Sequence, residues 1–320
     1  MLPFHNVVRD DFEAVNALII QQLHSDVGLV ENIGQHLIDA GGKRLRPLLV
    51  LLSAKACGYR GSDHISLATI IEFIHTATLL HDDVVDTSEL RRGRATANAR
   101  WGNAPSVLVG DFLYSRSFQM MVALQNMAIM GILADTTNLI SEGEVQQLIN
   151  AGNDSVTEKD YFSVIDRKTA QLFKAAAEVG AVIAKANTET RANLALYGHH
   201  LGMAFQLTDD ALDYTGASAD MGKNIGDDLA EGKVTLPLIH VLNQGTDEQI
   251  ALVRAAIRNG GREQLDAIKA AIENTGAIDY TLHRAQKHSQ TALELLTTLQ
   301  TSKEKQALQE LAEFAHRRTF

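Results

Sequence analysis

An all-α fold is predicted by three observations. Apolar residues recur at three- and four-residue spacing over long stretches, only 4 prolines interrupt the chain, and alternation of period two survives nowhere for long. The 320 residues, 45% hydrophobic and 21% charged, suffice for a well-cored globular protein. No linker rich in Pro, Gly or Ser separates parts of it, so the chain (1–320) reads as one continuous domain, a bundle of about ten or more helices.

Each element has its own signal. Leu18, Ile19, Leu23, Val27, Val30, Ile33 and Leu37 mark a first amphipathic helix ending at Gly41–Gly42. Pro47, tolerated in a first turn, opens a second that runs to about Gly58. A third is expected from Ser66 through Ile70, Phe73, Ile74, Ala77 and Leu80 into the acids at Asp82. A polar link holding Arg91, Arg92 and Gly93 leads to a long helix over Pro105–Met130. Two more follow over 132–150 and 157–185, divided by the turn Gly152–Asn153–Asp154, and another spans 189–214. Residues 216–232 are expected as a loop, 234–242 as a helix, and 247–316 as several amphipathic helices.

The bulk numbers exclude several classes of function. A formal net charge of -10 opposes binding to nucleic acid, which requires a basic surface. Cys57 is the sole cysteine, so neither a disulfide framework nor a cysteine metal site can form within one chain, and it reads as a buried structural thiol. The first residues lack a basic segment followed by an apolar one, and no apolar run reaches the roughly 18 residues of a spanning helix. The expectation is a cytoplasmic protein that touches a membrane at most from outside.

One motif occurs twice. Asp-Asp-x-x-Asp appears as Asp82, Asp83, Asp86 and as Asp209, Asp210, Asp213. Residues four apart share a helix face, so Asp82 with Asp86, and Asp209 with Asp213, each offer two carboxylates to one region. Both acid groups follow an apolar helix and stand near its C-terminus, where the dipole disfavours anions, so a compensating cation is required. Hard oxygen donors of this kind suit Mg²⁺, which usually takes one or two carboxylates and is completed by water and substrate phosphates. One such pattern arises by chance in roughly one chain of this length in fifteen, two in far fewer than one in a hundred.

Cations supply the complementary half. Lys43, Arg44 and Arg46 follow Gly41–Gly42, and Arg91, Arg92 and Arg94 follow the first acid group. Guanidinium groups bind phosphate oxygens as a fork and ammonium groups as point charges. Either run alone would read as solvated surface; beside carboxylates in an acidic chain they point to a diphosphate.

Gly42-Lys43-Arg44-x-Arg46-Pro47, then His75 and His81-Asp82-Asp83-x-x-Asp86 with Arg91-Arg92-Gly93, then Phe205-Gln206-x-x-Asp209-Asp210-x-x-Asp213, resemble the trans-isoprenyl diphosphate synthases. The stretches His75–His81 and Arg91–Asn98 are most similar to the bacterial long-chain type that makes octaprenyl diphosphate. The resemblance implies the isoprenoid synthase fold, a homodimer, and Mg²⁺-dependent head-to-tail condensation of isopentenyl diphosphate onto an allylic diphosphate such as farnesyl diphosphate, giving a quinone side chain. It further implies that Asp82, Asp86 and Asp209 hold Mg²⁺, with Asp83, Asp210 and Asp213 nearby. Arg91, Lys168, Thr169, Gln206, Lys223 and Lys233 would meet the allylic diphosphate, and Lys43, Arg46, His75 and Arg92 the isopentenyl diphosphate. Chain length would be set beyond the first acids, where Ala77 and Thr78 are small and Met120, Met121 or Leu124 of the next helix is a candidate floor. Between Ser66 and Asp82 lies roughly 24 Å of helix, room for a long product.

Two departures from the family pattern stand out, since many relatives have Pro at the positions of Ala95 and Asn224. Arg317 and Arg318 resemble the basic tails that reach a diphosphate in some relatives, a role not favoured here. A terpene cyclase shares the fold and first motif, but the intact second motif and Lys43 to Arg46 speak against it. A non-catalytic subunit of a heteromeric synthase predicts broken aspartate motifs, and a short- or medium-chain synthase predicts bulk at Ala77 or Thr78.

Overall fold

A computed structural model describes residues 3–39, 41–215 and 226–318. The all-α expectation holds: among these residues the strands are two of two residues each, Leu90–Arg91 and Arg94–Ala95, paired antiparallel. The described residues divide into two compact units.

One unit takes the described residues within 1–137, 172–198 and 294–311. The single first helix expected from the apolar spacing is two, α1 (Arg9–Gln22) and α2 (Gly28–Asp39). The break is built by short-range polar bonds: Glu31 accepts from His24 Nδ1 and the Ser25 amide, and Ser25 Oγ accepts from the Val27 amide. Such side-chain bonds offer the backbone an alternative to continued helix. α3 (Leu45–Ala56) buries Leu48 to Leu52, and α4 (Asp63–Val85) buries Leu67, Ile70, Ile71, Ile74 and Leu80. Helices apolar on nearly every side are core elements. α4 packs on α1, α3 and α6 (Asn103–Ala123), α5 (Ala97–Trp101) intervening. Removing one of its buried leucines to alanine would cost about 2–5 kcal/mol.

α6 stops at Ala123, seven residues before the expected end, because Gln125 takes a left-handed φ of 51° and the Asn126 side chain accepts from the amides of Ala128 and Ile129. That cap starts α7 (Met127–Asn150). α9 (Gln171–Ile183) presents Ala175, Ala176, Ala177 and Gly180; a Cβ at Gly180 would sit 2.8 Å from Ser53 Cβ, so its absence permits close approach to α3.

The other unit takes the described residues within 138–171, 199–293 and 312–320. Its core joins Tyr161, Ile165, Met203, Leu207, Leu236, Leu238, Val253, Ile257, Ile268 and Ile272. A capping box at Thr157 and Asp160 opens α8 (Glu158–Ile165). The uninterrupted helix expected over 157–185 instead contains a π turn, Asp166–Ala170. α10 spans Thr188–Thr215, the expected loop before Gly232 contains a short helix, Asp227–Ala230, and four helices follow between Leu236 and Leu295. Helix Lys303–Arg317 ends the described chain.

Candidate active site

α4 delivers the first acids at its C-terminal end: Asp82 and Asp83 lie in its last turn and Asp86 is its C-cap. The chain then enters a hairpin whose loop residues, Arg92 and Gly93, both have positive φ (53° and 72°), the geometry of a tight type I′ turn. That turn folds Arg91 back onto α4, where its Nε and Nη2 donate to Asp83 Oδ1 at 2.9 and 2.7 Å. Asn98 Nδ2 donates to the Asp83 carbonyl at 3.0 Å and locks the return. Asp83 is buried and committed to Arg91, while Asp82 and Asp86 are half-buried. Arg91, expected at a diphosphate, is thus paired within the protein.

The cationic residues gather beside the middle of α4. Arg46 Nη1 lies 3.1 Å from His75 Nε2, and its guanidinium stacks 4.3 Å over Phe173. Burial and the neighbouring Arg46, Arg92 and Arg91 charges hold His75 well below the usual imidazole range, so it is neutral and Nε2 accepts from Arg46. Glu72, one turn earlier, is pushed up by burial although Arg44, Arg46 and Arg92 pull it down. Arg92 donates to the Gly41 carbonyl, and a Cβ on Gly42 would collide with its guanidinium. One cavity is lined by Arg44, Glu72, His75, Asp83, Arg91 and Arg92 together with Ile19, Leu23 and Leu79. Lys43 and Arg46 stand outside that lining; Lys43 contributes its carbonyl to His5 Nε2. Arg44, quoted in the motif without a role, faces the cavity.

Ala77 and Met121 are buried, and Thr78 bonds its own helix at the His75 carbonyl. None of the three lines that cavity. Cys57, expected buried, is half-buried, and burial pushes its thiol up to about 11, outside the reactive range.

The second unit builds its polar centre on the π turn. Such turns widen the helix by one residue and recur at functional sites. Lys168 donates to Glu144 Oε2 at 2.5 Å, and Thr169 Oγ1 donates to Gln206 Oε1 at 3.0 Å. Gln206 Nε2 in turn donates to Asp210 Oδ1 at 2.7 Å, and the Tyr161 hydroxyl donates to Asp210 Oδ2. Burial, then the Asp228 charge, pushes Asp210 up to about 8, and burial with Asp210 pushes Tyr161 well up. Tyr161 is a residue the motif reading missed. It falls on the apolar stripe with Val164 and Ile165, and only the rule that a buried phenol seeks a partner could have singled it out.

Asp209 is 43% exposed and meets Arg318 Nη2 at 2.7 Å. Asp213 is buried, its carbonyl accepting from Gly226 N. Lys233 Nζ pairs with Glu231 at 2.6 Å. Lys223 and Asn224 lie outside the described residues. Ala95 sits exposed in the hairpin, its carbonyl accepting from His36 Nε2.

A divalent metal of the hard class fits this donor chemistry. Each motif places a solvent-reachable carboxylate at a helix C-terminus, and among the described residues no three His, Cys, Asp or Glu side chains form a ready-made cage. An ion that takes one or two carboxylates and fills its shell with water and phosphate oxygens matches; one that demands a closed protein cage does not.

Comparison with known proteins agrees. The family model described as polyprenyl synthetase matches residues 27–275. The chain is 46% identical to octaprenyl diphosphate synthase of Escherichia coli (strain K12) over 315 residues, 98% of each chain. It is also 46% identical to the all-trans-nonaprenyl-diphosphate synthase (geranyl-diphosphate specific) of Rhodobacter capsulatus, over 96% of this chain and 95% of that one. The crystal structure of a polyprenyl synthase from Caulobacter crescentus CB15, complexed with calcium and isoprenyl diphosphate, superposes with a TM-score of 0.96 at 42% identity, covering 99% of this chain and 97% of that one. Polyprenyl synthetases use a divalent metal, and no helix among the described residues is long and apolar enough to cross a membrane. The chain belongs to the polyprenyl synthetase family, and is a prenyltransferase of trans-prenyl chain elongation.

Proposed function

We propose that the chain makes octaprenyl diphosphate by successive 1'-4 condensations of isopentenyl diphosphate onto an allylic diphosphate such as farnesyl diphosphate, with Mg²⁺ as the metal. The observation that carries the reading is the pair of intact aspartate motifs, each at a helix C-terminus, accompanied by the cluster of Arg44, Arg46, His75, Arg91 and Arg92. A cavity lined by guanidinium groups and a neutral imidazole suits a diphosphate in an acidic chain.

In this reading Asp82, Asp86 and Asp209 hold Mg²⁺ on the allylic diphosphate. When bound, the metal neutralises charge on the leaving group as the carbon–oxygen bond breaks. Arg91, Lys168, Thr169, Gln206, Lys223 and Lys233 orient the same diphosphate, the cations by charge and Thr169 and Gln206 as neutral hydrogen-bonding groups, and each well-placed donor stabilises the charge that develops there by about 3 kcal/mol. Lys43, Arg46, His75 and Arg92 hold the isopentenyl diphosphate so that its double bond attacks the allylic carbon. An apolar lining excludes water from the cation, and the departing diphosphate takes the final proton. Asp83, Asp210 and Asp213 brace the acids rather than serve as ligands, which accords with the Arg91 and Tyr161 bonds on the first two. The small side chains at Ala77 and Thr78 leave the tunnel open, with Met121 at its floor. We further place the enzyme in the cytoplasm as a homodimer, with product leaving toward a membrane and serving as a quinone side chain.

The test is incubation of the purified chain with farnesyl diphosphate, isopentenyl diphosphate and Mg²⁺, followed by chromatography of the dephosphorylated products. A ladder that ends at eight isoprene units supports the assignment. A stop at three or four units refutes it, and no elongation would favour the non-catalytic subunit.

A further inference from the structure

Arg318, two residues before Phe320, is seated rather than loose. Its side chain is 3% exposed, Nη2 donates to the Phe205 carbonyl at 2.6 Å and meets Asp209 Oδ1 at 2.7 Å, and the guanidinium lies 3.7 Å over the Phe205 ring. Its amide continues the C-terminal helix by bonding the Phe314 carbonyl. The adjacent Arg317 pairs instead with Glu313 on the exposed face. A guanidinium with a backbone acceptor, a ring face and a carboxylate loses all three on leaving, so it stays in place when other ions arrive.

That seat has an electrostatic consequence for Asp209. With Arg318 on Oδ1, the local charge of the pair is zero, and a divalent cation that approaches the remaining oxygen meets a fixed positive charge a few ångströms away. A cation accompanied by a diphosphate does not meet that penalty, because the phosphate oxygens return negative charge to the same region. We infer that Arg318 is a positioning residue that makes divalent-metal binding at Asp209 contingent on the diphosphate. The inference rests on the reading of Asp209 as a metal ligand.

Calorimetric titration of the full chain with Mg²⁺, alone and with saturating inorganic pyrophosphate, tests it. The native chain is expected to bind Mg²⁺ weakly alone and much more tightly with pyrophosphate. Arg318→Met keeps the stem and removes the charge; it should bind Mg²⁺ alone about tenfold more tightly and lose a similar factor of the pyrophosphate enhancement. Arg318→Lys should keep the native coupling. If Arg318→Met melts the terminal helix by circular dichroism, Arg318→Gln gives the same reading. Unchanged or weaker binding of Mg²⁺ alone in the charge-free variant overturns the inference. If Asp209→Asn binds Mg²⁺ with pyrophosphate as the native chain does, the metal reading of Asp209 itself fails, and the two failures are thereby separate.

Discussion

The Tyr161 hydroxyl donates a 2.5 Å hydrogen bond to Oδ2 of Asp210, while Gln206 occupies Oδ1 at 2.7 Å. Both oxygens of a buried carboxyl group are therefore engaged by the protein, which makes Asp210 a brace between α8 and α10. Tyr161→Phe deletes one donor without changing volume. The expected outcome is a loss of about 1–3 kcal/mol in stability, from a buried oxygen left short of its partner, and about a tenfold lower turnover with little change in KM. Thermal denaturation and steady-state kinetics check both, and a native Tm would show that the bond is not needed.

The half-buried acids should behave differently from the buried one. Asp82→Asn and Asp86→Asn are expected to lower turnover by about 100-fold or more while leaving the melting temperature nearly native. Asp83→Asn abandons Arg91, so destabilisation of about 1–3 kcal/mol should accompany its loss of activity. Parallel melts and assays of the three variants separate ligand from brace; equal effects on both readouts would contradict the division.

Bulk at the middle of α4 should shorten the product. Ala77 is 1% exposed, so Ala77→Tyr must push its ring into whatever space the helix borders. The variant is expected to yield shorter prenyl chains with turnover retained, read by chromatography of dephosphorylated products. An unchanged distribution removes Ala77 from the tunnel.

The pair His200 and His288 sets a pH dependence. Their Nδ1 atoms are 2.8 Å apart, so one carries a proton and the other accepts it. Burial, with the neighbouring histidine charges, lowers both; His288 falls from 6.5 to about 4. The unfolded chain therefore binds more protons than the native one in that window, and stability falls as pH drops from 6.5 towards 4. His288→Gln should flatten the slope of Tm against pH across this interval, and an identical slope would exclude the pair.

Much of this was legible in the residues themselves. The helices that bury their acids and cations announced themselves through apolar spacing, and the doubled aspartate motif pointed to a diphosphate before any coordinates. The misses share a cause. The breaks at Ser25 and Asn126 depend on one side chain bonding a nearby amide, which composition does not weigh. Tyr161 and Arg318 act through partners 49 and 109 residues away in sequence (318 − 209 for the second), distances over which periodicity carries no information. The bond from Arg91 to Asp83 is equally hidden, because it requires the left-handed turn at Arg92 and Gly93, which apolar spacing does not announce.

The π turn at Asp166–Ala170 also constrains how this chain can vary. An extra residue wound into one turn rotates everything after it by roughly 100° relative to a regular helix. The apolar faces of Tyr161, Val164, Ile165 and of Leu172, Phe173, Ala176 consequently belong to two different phases, each correct only while the widened turn persists. Deleting a single residue between them would re-wind the segment, swing Lys168 and Thr169 off Glu144 and Gln206, and spoil one hydrophobic face or the other. Point substitutions are tolerable there in a way that a change of length is not.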